Sequence, residues 1–196
     1  MFHPFRTALI ASLFLFSFAC NKIDFTPKKH RITNNGSTIY TIRQGRHYCN
    51  NNIYTEIETA ELKFSMVFDS SAIYQTIVPE NQKDINKLFG FSDNESQHHL
   101  FSARFGWRWS SDSLRLFSYV YNNGELMYEE IATLQIGTEY YCSIAVTDSS
   151  YKFRFNDQES VMPRTSTTPL AKGFKLYPYF GGNETAPHDI RIWIKE

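Results

Sequence analysis

Alternation with a period of two residues, carried largely on aromatic side chains, constrains this chain more than any other feature. Between Phe101 and Trp109, the residues Phe101, Ala103, Phe105, Trp107 and Trp109 share one face of an extended segment; Ser102, Arg104, Gly106 and Arg108 share the other. An extended chain points successive side chains to opposite sides, so this is the pattern of a strand with one face in a core. Glu61–Phe68 repeats it, with Leu62, Phe64, Met66 and Phe68 opposing Glu61, Lys63 and Ser65. In Leu114–Tyr121, Leu116, Ser118 and Val120 oppose Arg115, Phe117, Tyr119 and Tyr121. Asn122-Asn123-Gly124 then marks a tight hairpin, because Asn-Gly accepts the positive φ such a turn needs. Further strands are expected over Glu125–Gln135, Glu139–Thr147, Tyr151–Phe155, Phe174–Phe180 and Ile190–Lys195. Pro79, followed by Glu80–Phe89 and closed by Gly90, predicts one short helix. About nine or ten strands and no βαβ rhythm predict an all-β antiparallel sandwich, one domain spanning residues 38–196.

Composition agrees. Phe, Tyr and Trp make up 16% of the chain, and aromatic residues suit a pleated, half-buried surface. Lys and Arg number 20 against 20 Asp and Glu, a balance that argues against nucleic acid as a partner.

The first twenty residues carry a separate message. Arg6 precedes a twelve-residue apolar run, Ala8–Ala19, which is too short to span a bilayer core of roughly 30 Å but suits a secretory signal. Small Ala19 is followed at once by Cys20 and then by polar residues. The segment resembles a bacterial lipoprotein signal, which implies removal of residues 1–19 and lipidation of Cys20. An ordinary cleaved signal is the alternative, and either implies export. The expected location is the bacterial cell envelope, at the outer membrane or cell surface, with the membrane contacted through the lipid. Residues 20–37, polar and broken by Pro27 and Gly36, read as a tether. Cys49 and Cys142 then form an even pair in an oxidising compartment, expected as a disulfide worth roughly 4–5 kcal/mol, with two buried free thiols as the alternative.

Chemistry is concentrated in one polar and aromatic strip. Arg104 and Arg108 come from one strand, Phe117, Tyr119 and Tyr121 from the next, and Lys175, Tyr177 and Tyr179 from a third. Should all three point to one side, guanidinium forks for carboxylates would stand beside rings for sugar faces. His98 and His99 adjoin the strip, and a neutral His can act as a general base. No metal site is expected from these histidines with Asp84 or Asp93, since no ligand spacing supports it. No phosphate loop, CxxC, HExxH or GxSxG motif occurs, and no cofactor is implied.

The run Gly173–Ile194 contains KLYPYFGGNETAPHDIRIWI, with Phe180, Gly181, Gly182, Pro187 and Asp189 ahead of the last strand. It resembles the closing strands of concanavalin A-like jelly rolls, and in particular is similar to the jelly-roll polysaccharide lyases. That resemblance implies an Arg neutralising a uronate carboxylate and a His or Tyr removing the C5 proton. The matching candidates are Arg104, His99, and Tyr177 or Tyr179. Three readings follow: a non-catalytic module binding an acidic glycan; a lyase cutting a uronate polymer by β-elimination; and an envelope assembly protein whose strip binds another protein.

Overall fold

In the computed structural model, which describes Met1 and residues 36–196, the alternating segments become twelve strands. They are β1 (Thr38–Ile42), β2 (Glu56–Thr59), β3 (Glu61–Phe68), β4 (Asn86–Ser92), β5 (Phe101–Ser110) and β6 (Ser113–Asn122). β7 (Glu125–Leu134), β8 (Glu139–Val146), β9 (Ser150–Phe155), β10 (Gln158–Pro163), β11 (Ala171–Leu176) and β12 (Ile190–Lys195) follow. Two six-stranded antiparallel sheets result, ordered β1-β12-β3-β8-β9-β10 and β2-β11-β4-β5-β6-β7. Asn123 and Gly124, at φ of 53° and 83°, form the tight β6–β7 turn.

The apolar faces of the two sheets meet in an aromatic core. Phe64 of β3 packs edge-on against Phe105 of β5 at 5.7 Å between centroids, and Phe105 against Phe153 of β9 at 5.1 Å. Phe105, Trp107 and Phe153 are wholly buried, each side chain contributing about 1.5–3 kcal/mol or more through burial. Since every second residue of β5 enters this core, Arg104, Gly106 and Arg108 must occupy the outer face of the second sheet.

The expected helix is absent. Pro79–Lys83 forms only a 3₁₀ turn, and the rest of the segment is strand β4. A β-bulge explains the misreading: Lys87 pairs with Gly106 and Gly90 with Arg104, so β4 carries one extra residue. Leu88 and Phe89 are consecutive and both wholly buried, which imitates the apolar spacing of a helix. The bulge also depends on Gly90, where a Cβ would lie 2.1 Å from the Ala103 carbonyl oxygen and 2.5 Å from Arg104 Cα.

The expected disulfide is also corrected: Cys49 and Cys142 are both buried free thiols. Cys49 bridges to Ile42 at the β1 edge, whereas Cys142 lies on β8 with β12 and β3 between. Several strand spacings of about 4.8 Å separate them, beyond the roughly 7 Å Cα limit of a bridge. Burial pushes the Cys49 thiol up to about 12 and the Cys142 thiol higher still. Cys20, the signal and nearly all of the tether lie outside the described residues.

One buried ion pair joins the two sheets. Arg164, just after β10, donates from Nε to Asp93 Oδ2 at 2.8 Å, with both side chains fully buried. Tyr151 of β9 donates its hydroxyl to the same oxygen at 2.8 Å, and the Lys172 backbone N–H of β11 to Oδ1 at 3.1 Å. The remaining Arg164 nitrogens reach the carbonyls of Thr147, Thr168 and Leu170. Burial alone would raise the Asp93 carboxyl, but these donors, Arg164 foremost, hold it below its ordinary value.

Arg164→Met, which leaves Asp93 buried and unpaired, is expected to cost about 3–5 kcal/mol in urea unfolding. Asp93 binds its proton more weakly folded than unfolded, so its stabilisation is present above the unfolded pKa of about 3.9 and is lost as pH falls below it. Acid titration of wild type and Arg164→Met, followed by unfolding at each pH, checks this. A reductant is expected to leave the melting midpoint of the described domain unchanged.

Candidate functional site

The outer face of the second sheet carries a cleft of about 460 Å³. Register builds it: Gly90 of β4 lies opposite Arg104 of β5, and Arg104 opposite Tyr119 of β6, all turned away from the core. Tyr121 comes from the next outward position on β6, opposite Ser102. The β4–β5 loop adds His98 and His99; Tyr48, Asn52 and the Leu176–Tyr179 segment complete the lining. No Asp or Glu lines this cleft.

Arg104 is its centre. Its side chain is only 6% exposed, forms no salt bridge among the described residues, and leaves Nε without a hydrogen-bond partner. The guanidinium lies over the Tyr119 ring at 5.5 Å, and Lys87 Nζ lies over the same ring at 4.9 Å. Cation–π attraction of about 0.5–2 kcal/mol offsets part of the burial cost of each cation. Burial lowers the Arg104 guanidinium to about 10, while Tyr119, Tyr121 and Tyr179 act in the opposite sense. Burial, then Arg104, lowers the Lys87 ammonium to about 8, although Nζ donates to the Ile85 carbonyl at 2.8 Å. The same causes, with His99 and Lys87 added, push His98 down to about 4, so its imidazole is neutral near pH 7. Asp84 lies near enough to Lys87 to raise it slightly, but no carboxylate acts on Arg104, so the electrostatics around the guanidinium favour a bound carboxylate.

The sequence-derived residues separate in the structure. Arg104, His99, Tyr119, Tyr121 and Tyr179 come together in the cleft. The His99 ring meets Tyr121 edge-on at 5.3 Å. Tyr179 is stacked on His47 at 5.3 Å, and His47 Nδ1 is held 2.8 Å from the Phe180 carbonyl oxygen. Arg108 shares the face but stands two outward positions along, beyond Gly106, over the Phe117 ring and donating to the Lys83 carbonyl at 2.7 Å.

Lys175 does not join the strip. It pairs in register with core-facing Phe91, and its ammonium meets Glu196. Tyr177 borders the cleft, but its ring packs on Tyr40 and Phe89 at 5.7 Å each, and its hydroxyl shares a 3.0 Å hydrogen bond with Thr55. The expected strand Phe174–Phe180 ends at Leu176, so period two stops there and no longer decides where Tyr177 and Tyr179 point. Gly182, with φ of 78° and no room for a Cβ beside Asp84, makes the turn that follows. Asp93, weighed as a metal ligand, is committed to Arg164.

The helix expected over 80–89 hides Lys87, and Tyr48 and Asn52 carry no sequence signal, since they reach the cleft from a loop beyond β1, where His47 backs the Tyr179 ring.

Neither a protein-family model nor a curated protein matches this sequence. Solved structures do match its shape. The alginate lyase AlyC3 superposes with a TM-score of 0.55 at 8% identity, over 82% of this chain and 73% of that one. A GH16 protein of a mixed-linkage glucan locus of Bacteroides ovatus gives 0.50 at 12% identity, over 81% and 80%. The catalytic domain of an endo-1,3-beta-glucanase from Thermotoga petrophila gives 0.50 at 11%, over 82% and 75%. At such identities the likeness is one of fold. The protein is a jelly-roll sandwich of the concanavalin A-like kind, weakly similar to jelly-roll polysaccharide lyases.

Arg104→Met removes a buried cation that has no partner, so stability is expected to stay level or rise by about 1 kcal/mol. Lys87 is expected to act through pH. Its folded pKa is depressed, so the unfolded state holds the extra proton between about 8 and the unfolded value of about 10.4, and stability rises with pH across that window. Unfolding titrations of wild type and Lys87→Met check this, the rise being smaller in the variant.

Proposed function

We propose that this cleft binds an acidic polysaccharide, with Arg104 pairing the carboxylate of one uronate unit and Lys87 adding a second positive charge. One observation carries the reading: a nine-tenths-buried guanidinium, free of any carboxylate, opens into a cleft lined by tyrosines. Burying a charge without a partner is costly, and an anionic ligand supplies the missing one. Tyr119, Tyr121 and Tyr179 provide rings and hydroxyls around it, a mixed surface suited to sugars. The names of the superposable proteins, an alginate lyase and glucanases, support a glycan as the ligand class. The fold alone does not choose the chemistry. As part of the same reading, the protein is exported and held at the envelope through lipid on Cys20.

A second reading, β-elimination, is favoured by the grouping around Arg104 of His99, the Tyr121 and Tyr179 hydroxyls, and His98, which burial keeps neutral. Pairing the carboxylate with Arg104 would stabilise the negative charge that develops when the neighbouring C5 proton leaves for a neutral imidazole. The C5–H electron pair becomes the C4–C5 double bond, the C4–O bond breaks, and the departing oxygen takes a proton from a tyrosine hydroxyl. Of the base candidates from the sequence, His99 keeps access to the cleft, whereas Tyr177 has its hydroxyl engaged by Thr55.

Calorimetric titration of the purified protein with acidic and neutral oligosaccharides, with ultraviolet absorbance recorded in parallel, tests both readings. Binding of acidic oligosaccharides, weakened at least tenfold by Arg104→Met and falling as pH rises through about 8, is the expected result. Absorbance from unsaturated uronate ends, abolished in His99→Ala, would add the elimination. An absence of binding across acidic glycans overturns the proposal and leaves an envelope protein as the partner.

A further inference from the structure

The row of side chains at the centre of the cleft does not end at its wall. Arg104 of β5 lies opposite Tyr119 of β6, and Tyr119 lies opposite Tyr128 of β7. Residues paired directly across strands share a side of the sheet, so Tyr128 stands on the same outer face as Arg104. Its neighbour Met127 agrees, packing against the core from the opposite side. β7 is the edge of its sheet. The row therefore runs from the buried guanidinium, past Tyr119, to a ring at the rim.

Tyr128 differs from the tyrosine beside it. Tyr119 is 4% exposed, whereas Tyr128 is 56% exposed. The Tyr128 ring is braced nearly at right angles against Phe117, with 6.3 Å between centroids. Its hydroxyl is close to the cleft: burial, then Tyr121, raises the Tyr119 hydroxyl, and Tyr128 adds a smaller effect in the same sense. Leu126, across from Tyr121 and 40% exposed, continues the apolar rim. Glu130, the next outward residue of β7, is taken by Arg115 at 2.7 Å. A single exposed aromatic is ordinary on a protein surface. This one is set apart because it lies in line with a buried cation that no carboxylate partners.

Resting on the acidic-glycan binding proposed above, we propose that Tyr128 is the platform of an outer subsite, stacking the sugar unit two places along from the uronate held by Arg104. Two strand spacings, about 10 Å, separate the Cα atoms of Arg104 and Tyr128. Two sugar units cover that span, so the unit next to the uronate passes over Tyr119 and the following one reaches Tyr128. The bound chain thus crosses β5, β6 and β7 and follows none of them. A tyrosine ring offers an apolar face, which serves a charged or an uncharged unit alike. The subsite therefore selects for chain length: a disaccharide fills the position at Arg104 and stops short of the rim.

Calorimetry on the purified protein tests this with di- and hexasaccharides of mannuronate, of guluronate, and of alternating glucuronate and N-acetylglucosamine, the weaker ligands being measured by displacement. Within a series that binds, the hexasaccharide is expected to bind at least tenfold tighter than the disaccharide. Tyr128→Ala is expected to weaken the hexasaccharide at least fivefold, about 1 kcal/mol, with no comparable loss for the disaccharide. Tyr128→Phe, which keeps the ring, is expected to hold the hexasaccharide as wild type does. Hexasaccharide affinity unchanged by Tyr128→Ala overturns the subsite while leaving acidic-glycan binding intact. So does an equal loss at both lengths, which would mean that Tyr128 acts through the cleft itself. Failure of all three hexasaccharides to bind the wild type overturns the subsite together with the function on which it rests.

Discussion

The Asp93–Arg164 pair is the interaction around which the rest of the structure is arranged. Asp93 directly follows β4 of the second sheet, Tyr151 belongs to the first, and Arg164 comes from the segment linking β10 to β11. A carboxylate buried between two sheets is tolerable only when its oxygens are fully partnered, and here they are. The pair also sets the site. Asp93 begins the loop that carries His98 and His99, its N–H donates to the Phe101 carbonyl at 2.9 Å, and Glu95 N–H donates to Lys172. Asn94 accepts from Thr167 and Ser166, which ties the loop to the Arg164 segment. The histidines thus stand on a loop anchored at several points in the interior.

Two buried arginines with opposite surroundings mark the division between structure and function. Arg164 is fully enclosed and reaches a carboxylate, three carbonyls and two hydroxyls. Arg104 is nearly as buried and has an aromatic ring but no anion. The first cation is satisfied within the fold. The second is held, with Lys87, where a ligand carboxylate completes it, and the tyrosines around it exclude water without cancelling its charge.

The elements that the sequence made legible are those where a local rule governs. Ile190–Lys195, Glu61–Phe68 and the Asn123-Gly124 turn were readable because alternation and positive φ are properties of neighbouring residues. β4 was misread because its bulge sets two apolar residues side by side, and Lys87 went with it. The four-residue β2 is too short to display a period, and β10 sets polar Ser160 at one of its inward positions, which masks its alternation. Cys49 and Cys142 read as a pair because they are even in number in a chain expected to be exported, yet strand order separates them.

By itself, then, the sequence determined the class of fold and the outward placement of Arg104, Arg108, Tyr119 and Tyr121, since period two decides which side of its own strand each residue takes. Tertiary structure alone decided which strands became neighbours. That choice placed Lys87 beside Arg104, turned Lys175 away, gave Tyr177 to the core, and brought Tyr48 and Tyr179 to the cleft from irregular segments. Strand order rests on how distant apolar faces pack together, and no local pattern along the chain records it.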